Sequence, residues 1–225
     1  MQLVTLPSTA TTLLHLLALL APDPIPAALF EDEKALAELE RHGLISIQGN
    51  TVTVPPGVRE KVRSCIPPEQ MRDELTLLLQ SMNRFAPACP SDPKTWEVWD
   101  LLRPHAEALL ARTEKLATPD VSLLAGRLGA FLWAKDLLGE SEPLMRRALA
   151  LDETLFGREH PHVAIQLNNL ALMLQDAGRP HEAEPLMREA VDIFDKALGP
   201  DHPSTRGVRK NLEILMEELG YRRNW

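Results

Sequence analysis

Histidines and cysteines are the side chains in this sequence that could ligate a metal or act as nucleophiles. The chain has seven histidines and two cysteines, Cys65 and Cys89. It contains no C-x-x-C pair and no H-E-x-x-H sequence, the spacings with which one segment presents several zinc ligands. His160 and His202 each precede a proline, and His162 follows the first of these prolines. We expect no metal site, and we interpret these histidines as structural elements near helix ends.

The sequence also shows no clear nucleophile and no phosphate-binding loop. Cys65 ends a predicted helix in an apolar register, so we expect a buried and unreactive thiol. No glycine begins a G-x-x-x-x-G-K-[ST] loop, which is the device that cradles phosphates in many nucleotide-binding proteins. No pair of acidic and basic groups stands out from ordinary surface charge. The sequence therefore predicts a protein that is not an enzyme and that carries no cofactor.

Length and composition indicate a globular chain of one or two domains. It has 225 residues, of which 44% are apolar, 25% are charged and only 4% are aromatic. A core built from leucine and alanine favours helices. The net charge of −8 argues against a nucleic-acid or anionic membrane surface, and the apolar run Leu13–Ala21 is too short to span a bilayer. Two cysteines cannot form a disulfide framework, so we expect a cytoplasmic protein.

An internal repeat of 42 residues decides the fold. The segments Glu140–Ala148 and Glu182–Ala190 are identical at seven of nine positions. Further matches at the same offset are Gly157 with Gly199, His160-Pro161 with His202-Pro203, and Asn169-Leu170 with Asn211-Leu212. A shared period of this length is the signature of stacked supersecondary units.

Each repeat predicts two helices joined by a turn. Apolar residues recur at helical spacing over residues 162–177 and again over residues 181–197. Between them, Ala177-Gly178-Arg179-Pro180 supplies a glycine to end the first helix and a proline to begin the second. A last helix over residues 204–219 follows the second linker.

This pattern resembles the tetratricopeptide repeat (TPR) family, in the 42-residue form of kinesin light chains. The residues that carry the resemblance are Leu167, Leu170, Ala171, Leu174, Gly178, Ala183, Met187 and Ala190, followed by a Leu-Gly-x-x-His-Pro linker, and one repeat earlier Leu128, Gly129, Leu132, Ser141, Met145 and Ala148. The resemblance implies a mainly α fold in which residues 119–225 form a solenoid of two repeats and a capping helix.

Such solenoids expose a concave groove lined by the first helix of each repeat. The repeat register places Ile165, Asn168, Leu172 and Gln175 there, with Gly207, Lys210, Ile214 and Glu217 one repeat later. Asn168 and Asn169 match the Leu-Asn-Asn-Leu-Ala motif of the kinesin-light-chain type, where the resemblance implies an amide clamp on an extended peptide. In the alternative, these amides bond the neighbouring helix. Trp133 faces either the groove or the preceding helices. The expected binding residues are Asn168, Asn169, Leu172, Gln175, Lys210 and Trp133.

The N-terminal part predicts a different unit over residues 1–66. A helix over residues 9–21, a short helix Ala27–Phe30 and a third helix Glu31–His42 precede two β-runs around Gly49-Asn50, and a helix Gly57–Cys65 follows. Three helices and then a hairpin form a winged-helix arrangement. Residues 67–118 are predicted as a helical connector, with helices over 70–84 and 96–115.

The order of these parts resembles the winged-helix segment between the nucleotide-binding module and the repeats of NB-ARC (STAND) signal-transduction ATPases. The segments Leu39–Ile47 and Trp96–Leu110 carry this resemblance. It implies that the chain is the sensor-relay end of such a protein, without the ATPase module, whose repeats bind a protein or peptide ligand. We expect the first helix to expose an apolar side that contacts a missing nucleotide-binding domain or drives self-association; that side consists of Leu13, Leu16, Leu17 and Leu20.

Two alternatives remain open for the function. One is a stand-alone TPR adaptor that binds a peptide segment. The other is a winged-helix transcriptional regulator, and charge argues against it because DNA binding depends on neutralising phosphates. The third helix carries two basic residues, Lys34 and Arg41, among five acidic ones: Glu31, Asp32, Glu33, Glu38 and Glu40.

Overall fold

The computed structural model describes residues 6–220, which form ten α-helices and one small sheet. The chain divides into two compact units with the boundary between Leu116 and Ala117. We call them the N-terminal unit and the repeat unit and describe each by itself. The predicted fold class is confirmed: the chain is mainly α, with a TPR-like solenoid after a unit that carries a small sheet.

Helix α1, Ser8–Leu19, is the centre of the N-terminal unit, and three later helices contact it: α2 (Glu33–Arg41), α3 (Pro56–Cys65) and α4 (Pro68–Phe85). The prediction of an exposed apolar side on α1 is wrong. Leu13, Leu16, Leu17 and Leu20 are each at most 8% exposed. Because three helices pack around α1, the unit itself covers the surface that we expected to face another domain.

The sheet has three short strands in the order β1-β3-β2, with antiparallel pairing throughout. The strands are β1 (Ile25–Pro26), β2 (Ser46–Gln48) and β3 (Thr51–Thr53). The predicted Gly49-Asn50 turn joins β2 to β3, and Gly49 adopts a φ of 58° there, a conformation that favours glycine. This sheet is consistent with a winged-helix-like unit. Between β1 and α2, Ala27–Leu29 forms a single 3₁₀ turn.

Four further helices complete the N-terminal unit: α2 (Glu33–Arg41), α3 (Pro56–Cys65), α4 (Pro68–Phe85) and α5 (Trp96–Arg112). The Asp32 carboxylate caps α2 by accepting a bond from the Ala35 amide at 2.9 Å. The expectation that Cys65 is buried is wrong, since its side chain is exposed. The buried face of α3 comprises Arg59 and Val62, and the chain then leaves the helix so that Ile66 is buried next.

Two arginines close the C-terminal end of α1, where no glycine is present. The guanidinium of Arg59 is buried, and its Nη1 donates to the carbonyl oxygens of Leu20 at 2.6 Å and Ala21 at 2.8 Å. Arg112 Nε donates to the oxygen of Leu19 at 2.8 Å. Positive charge is favourable at this end of a helix. The two arginines therefore tie α3 and α5 to the end of α1.

The repeat unit consists of five helices, and the predicted bounds of the last three, 162–177, 181–197 and 204–219, match the structure within one residue. They are α6 (Pro119–Ala134), α7 (Leu138–Phe156), α8 (Pro161–Asp176), α9 (Pro180–Leu198) and α10 (Pro203–Glu218). Each first helix, α6, α8 or α10, begins with a proline, which the first turn tolerates. Gly157 and Gly199 end α7 and α9 with φ of 84° and 86°. The 42-residue period thus repeats in backbone conformation.

Helix α10 differs from α8 on the face that a second helix would cover. The buried positions Ala164 and Ala171 of α8 correspond to Arg206 and Glu213, which are exposed. Val208 and Leu215 still pack into the core that α8 and α9 share. A polar outer face is what a terminal helix of a solenoid requires. Among residues 6–220, no helix is long and apolar enough to cross a membrane.

Candidate functional site

Each of the three first helices carries an exposed aliphatic side chain, and those of α6 and α8 stand at equivalent repeat positions. Leu123 on α6 and Ile165 on α8 lie 42 residues apart and are 43% and 45% exposed. Ile214 on α10 is 50% exposed and corresponds to Leu172 on α8. We call the surface formed by these positions the first-helix face. Apolar exposure that recurs with the repeat argues for a binding surface rather than for scattered surface residues.

Hydrogen bonds join the first helices across this face at an offset of 43 residues. Trp133 Nε1 donates to Asp176 Oδ2 at 2.7 Å. One repeat later Gln175 Nε2 donates to Glu218 Oε2 at 2.5 Å. Trp133 and Gln175 occupy equivalent positions, and so do the two carboxylates. The structure therefore places two of the predicted groove residues in contacts between neighbouring repeats.

Asn168 takes part in a third contact at the same offset. Its Oδ1 accepts a hydrogen bond from Asn211 Nδ2 at 3.0 Å, so this oxygen bonds the neighbouring helix. The other two polar atoms of the pair, Asn168 Nδ2 and Asn211 Oδ1, make no hydrogen bond within residues 6–220. The pair therefore presents one donor and one acceptor, which is the hydrogen-bonding complement of a peptide group.

Asn169 is in a different situation, although it is the repeat equivalent of Asn211. The position that would pair with it on α6 is Gly126, which has no side chain. The side chain of Asn169 is half-buried and makes no hydrogen bond within the described part of the chain. Its amide thus retains both its donor and its acceptor capacity.

A small cleft of about 270 Å³ opens between α8 and α10, and its lining residues are Ile165, Asn168, Phe194, Ser204, Gly207, Val208 and Asn211. Gly207 stands where the preceding repeats have Ile165 and Leu123. A Cβ atom built on Gly207 would have nothing within 4 Å. The cleft is therefore the space that an aliphatic side chain at this repeat position would otherwise border or fill.

The remaining predicted residues lie on the same unit in different settings. Leu172 and Trp133 are partly buried and pack against the core of the second repeat. Lys210 is exposed on α10, as is Arg206 four residues before it. Neither cation forms an ion pair with any residue from 6 to 220. Lys210 stands at the repeat position of Asn168 and thus places a positive charge on the first-helix face, whereas Arg206 lies on the face that a second helix would cover.

The linker histidines bond the starts of first helices. His160 Nδ1 accepts from the His162 amide and His202 Nδ1 from the Ser204 amide, both at 3.2 Å. Phe156 stacks on the His160 ring, with centroids 4.8 Å apart. In the described residues, no group of three or more His, Cys, Asp or Glu side chains is placed to hold a metal ion.

Sequence reasoning did not identify several residues of this site. Phe194, Ser204 and Val208 line the cleft, and Asn211 pairs with Asn168. Pairing at 43 residues was a usable signal, since hydrogen-bond donors and acceptors recur one position beyond the repeat period. The lining from α9 could not be read from the first helices alone, because it depends on how α9 packs beside α10.

Comparison with known proteins finds a match to the repeats. A family model described as "Tetratricopeptide repeat" matches residues 120–194 and again residues 164–220. No curated protein matches the chain. Similar solved structures include BtubC (BKLC) from P. vanneervenii, at 16% identity with a TM-score of 0.48, and TPR-like repeats from Podosopora anserina named for a kinesin light chain, at 19% identity with a TM-score of 0.47.

These structures overlap the chain to different extents. The alignment with BtubC covers 66% of this chain and 56% of that protein, so the match spans little more than half of the BtubC chain. The alignment with the Podosopora anserina repeats covers 72% of this chain and 85% of theirs.

Proposed function

We propose that this chain is a non-catalytic interaction protein whose first-helix face binds an extended segment of a partner protein. TPR folds serve as protein-protein interaction modules, and the repeat match covers residues 120–220. One observation directs the proposal to this face: exposed aliphatic side chains recur at Leu123 and Ile165, close to Asn169, whose amide has no hydrogen-bond partner within residues 6–220.

The chemistry of the face suits an extended polypeptide. Asn169 offers a donor and an acceptor to a peptide backbone, and the Asn168–Asn211 pair offers one of each. Backbone bonding of this kind supplies affinity, and pockets for side chains supply specificity. Leu123, Ile165 and Ile214 provide the apolar area that such a segment would bury.

Binding to a random-sequence peptide array tests the proposal, with the full chain in three forms. We expect the wild type to retain a set of peptides, and Ile165→Glu and Asn169→Leu each to lose most of that set. Leu77→Glu is the matched control for the first variant, because Leu77 on α4 is 46% exposed and lies in the N-terminal unit. Unchanged peptide binding by Ile165→Glu and Asn169→Leu, with melting temperatures equal to that of the wild type, would refute the proposal.

A finer proposal concerns the architecture to which the chain belongs. We infer that it is the sensor-relay part of an NB-ARC-like signalling protein, in which the N-terminal unit would relay ligand binding to a nucleotide-binding module. The order of helices and hairpin in the N-terminal unit supports this inference. The burial of the apolar side of α1 removes the contact first expected for that module. Sequencing of the reading frame upstream of Met1 tests the inference, because a G-x-x-x-x-G-K-[ST] segment is required there.

A further inference from the structure

The cleft at Gly207 is a gap in an otherwise regular repeat. At the same register, the two preceding first helices carry Leu123 and Ile165, both branched aliphatic residues. On α10 this position has no side chain, and nothing lies within 4 Å of where its Cβ would be. The gap therefore has room for an aliphatic side chain that the chain itself does not supply.

The walls of the cleft have the chemistry to hold such a side chain. Ile165, Phe194 and Val208 form an apolar lining. The cleft, at about 270 Å³, is smaller than the roughly 300–1,000 Å³ typical of pockets for whole small molecules. Its size suits one side chain of a longer ligand.

Polar groups at the cleft indicate which ligand groups would lie next to that side chain. Asn168 Nδ2 and Asn211 Oδ1 make no hydrogen bond within residues 6–220 beyond the one that joins the two amides. They are placed at the lining, where the backbone of a ligand would pass. Lys210 lies three residues after Gly207 on α10 and forms no ion pair within the same residues. A carboxylate on the ligand would complement this charge.

We propose that the Gly207 cleft is a specificity pocket that receives one Val, Leu or Ile side chain of an extended partner segment, with an Asp or Glu beside it facing Lys210. This proposal rests on the proposed function, and it makes Gly207 the residue that sets the preference. The partner is thereby a protein segment with an aliphatic anchor and adjacent acidic residues.

Selection from a random twelve-residue peptide library displayed on phage tests the pocket. We expect the wild-type full chain to enrich peptides in which Val, Leu or Ile adjoins Asp or Glu. Gly207→Leu should weaken binding of the enriched synthetic peptides at least tenfold, because the new side chain occupies the pocket. Since the added atoms meet open space, this variant should melt no lower than the wild type.

The charge component has its own variant and control. Lys210→Glu should weaken binding of the acidic peptides at least fivefold and have less effect on versions with Asn and Gln in place of Asp and Glu. Lys34→Glu on α2 changes the net charge by the same amount outside the repeat unit and should leave the affinity unchanged. An equal loss from Lys34→Glu would overturn the assignment of the carboxylate contact.

The outcomes separate this pocket from the proposed function. Peptides that lose binding with Asn169→Leu but keep full affinity for Gly207→Leu would overturn the pocket and leave the first-helix face as the binding surface. Peptides that bind without regard to either variant would overturn both. Enrichment of aromatic or basic residues in peptides that do depend on Gly207 would overturn the stated chemistry of the anchor.

Discussion

Replacement of Arg59 with methionine tests what holds the N-terminal unit together. Arg59 is 4% exposed and donates to two carbonyl oxygens at the end of α1. Two effects oppose each other in the variant. Methionine leaves the oxygens of Leu20 and Ala21 without these donors, but it also removes a buried charge whose Nε and Nη2 have no hydrogen-bond partner among residues 6–220.

The free-energy costs of the two effects decide which is larger. Each buried group left without its partner costs about 1–3 kcal/mol, so two carbonyl oxygens give roughly 2–6 kcal/mol. Loss of a positive charge at a helix C-terminus adds about 0.3–1 kcal/mol. Relief of the buried charge offsets part of this sum, as in buried ion pairs that are replaced by apolar residues. We expect the free energy of unfolding to fall by about 2–4 kcal/mol.

Urea denaturation followed by hydrogen exchange and mass spectrometry measures this change in each unit separately. Amides of α1 and α3 should lose protection in Arg59→Met, whereas α8 and α9 should retain it. Arg112→Met is the matched comparison, since Arg112 Nε bonds one oxygen of the same helix end and its side chain is more exposed. It should cost about 1 kcal/mol. A wild-type midpoint for Arg59→Met would refute the view that these hydrogen bonds outweigh the burial of the charge.

Three further predictions concern helix ends, helix contacts and pH. His202→Ala should lower the free energy of unfolding of the repeat unit by about 0.5–2 kcal/mol, because the Ser204 amide loses its cap, whereas His202→Asn should retain most of it; urea titration measures both, and equal stability of the Ala variant would contradict the capping role. Gly129→Leu should cost about 1–3 kcal/mol, since even a Cβ at Gly129 would lie 2.9 Å from Met145 Cγ, whereas Gly207→Leu should not destabilise the fold; equal midpoints for the two variants would contradict this packing. Burial lowers the pKa of His105, whose Nε2 lies 3.1 Å from the Pro24 oxygen. As the pH falls, the unfolded chain therefore takes up a proton at His105 before the folded chain does. The contribution of His105 to the free energy of unfolding is thus fully present above about pH 6.5. It decreases as the pH drops toward the pKa of the folded state, by at most about 1.4 kcal/mol per pH unit. Urea midpoints between pH 7.5 and 5.5 should fall more steeply for the wild type than for His105→Gln, and parallel slopes would contradict this assignment.

The repeat unit was largely predictable from the sequence because its signals are local and periodic. Proline at the start of α8 and glycine at the end of α9 mark boundaries that packing does not move. The 42-residue offset then transfers each boundary from one repeat to the next. The groove residues were assigned by the same register, and the structure places all of them on α6, α8 and α10.

The errors lie where several elements meet. An apolar stripe on α1 predicts burial but not the covering element, and here α2, α3 and α4 cover it. Cys65 was assigned to the buried face of α3, but the chain leaves the helix at that point and Ile66 is buried instead. Arg59 was overlooked because nothing in the sequence distinguishes a buried arginine from a surface one. Its position depends on the end of α1, which is 39 residues away in the chain.

Hydrogen exchange of the full chain with a saturating, array-selected peptide tests the central claim most directly. The first-helix face should be the surface that the peptide covers, so amide exchange should slow in α8 and α10, and the segments around Asn169 and Gly207 should gain the most protection. Exchange in the N-terminal unit and on the outer side of α9 should not change. Protection confined to α2–α5, or spread evenly over α7 and α9, would contradict the assignment of partner binding to this face.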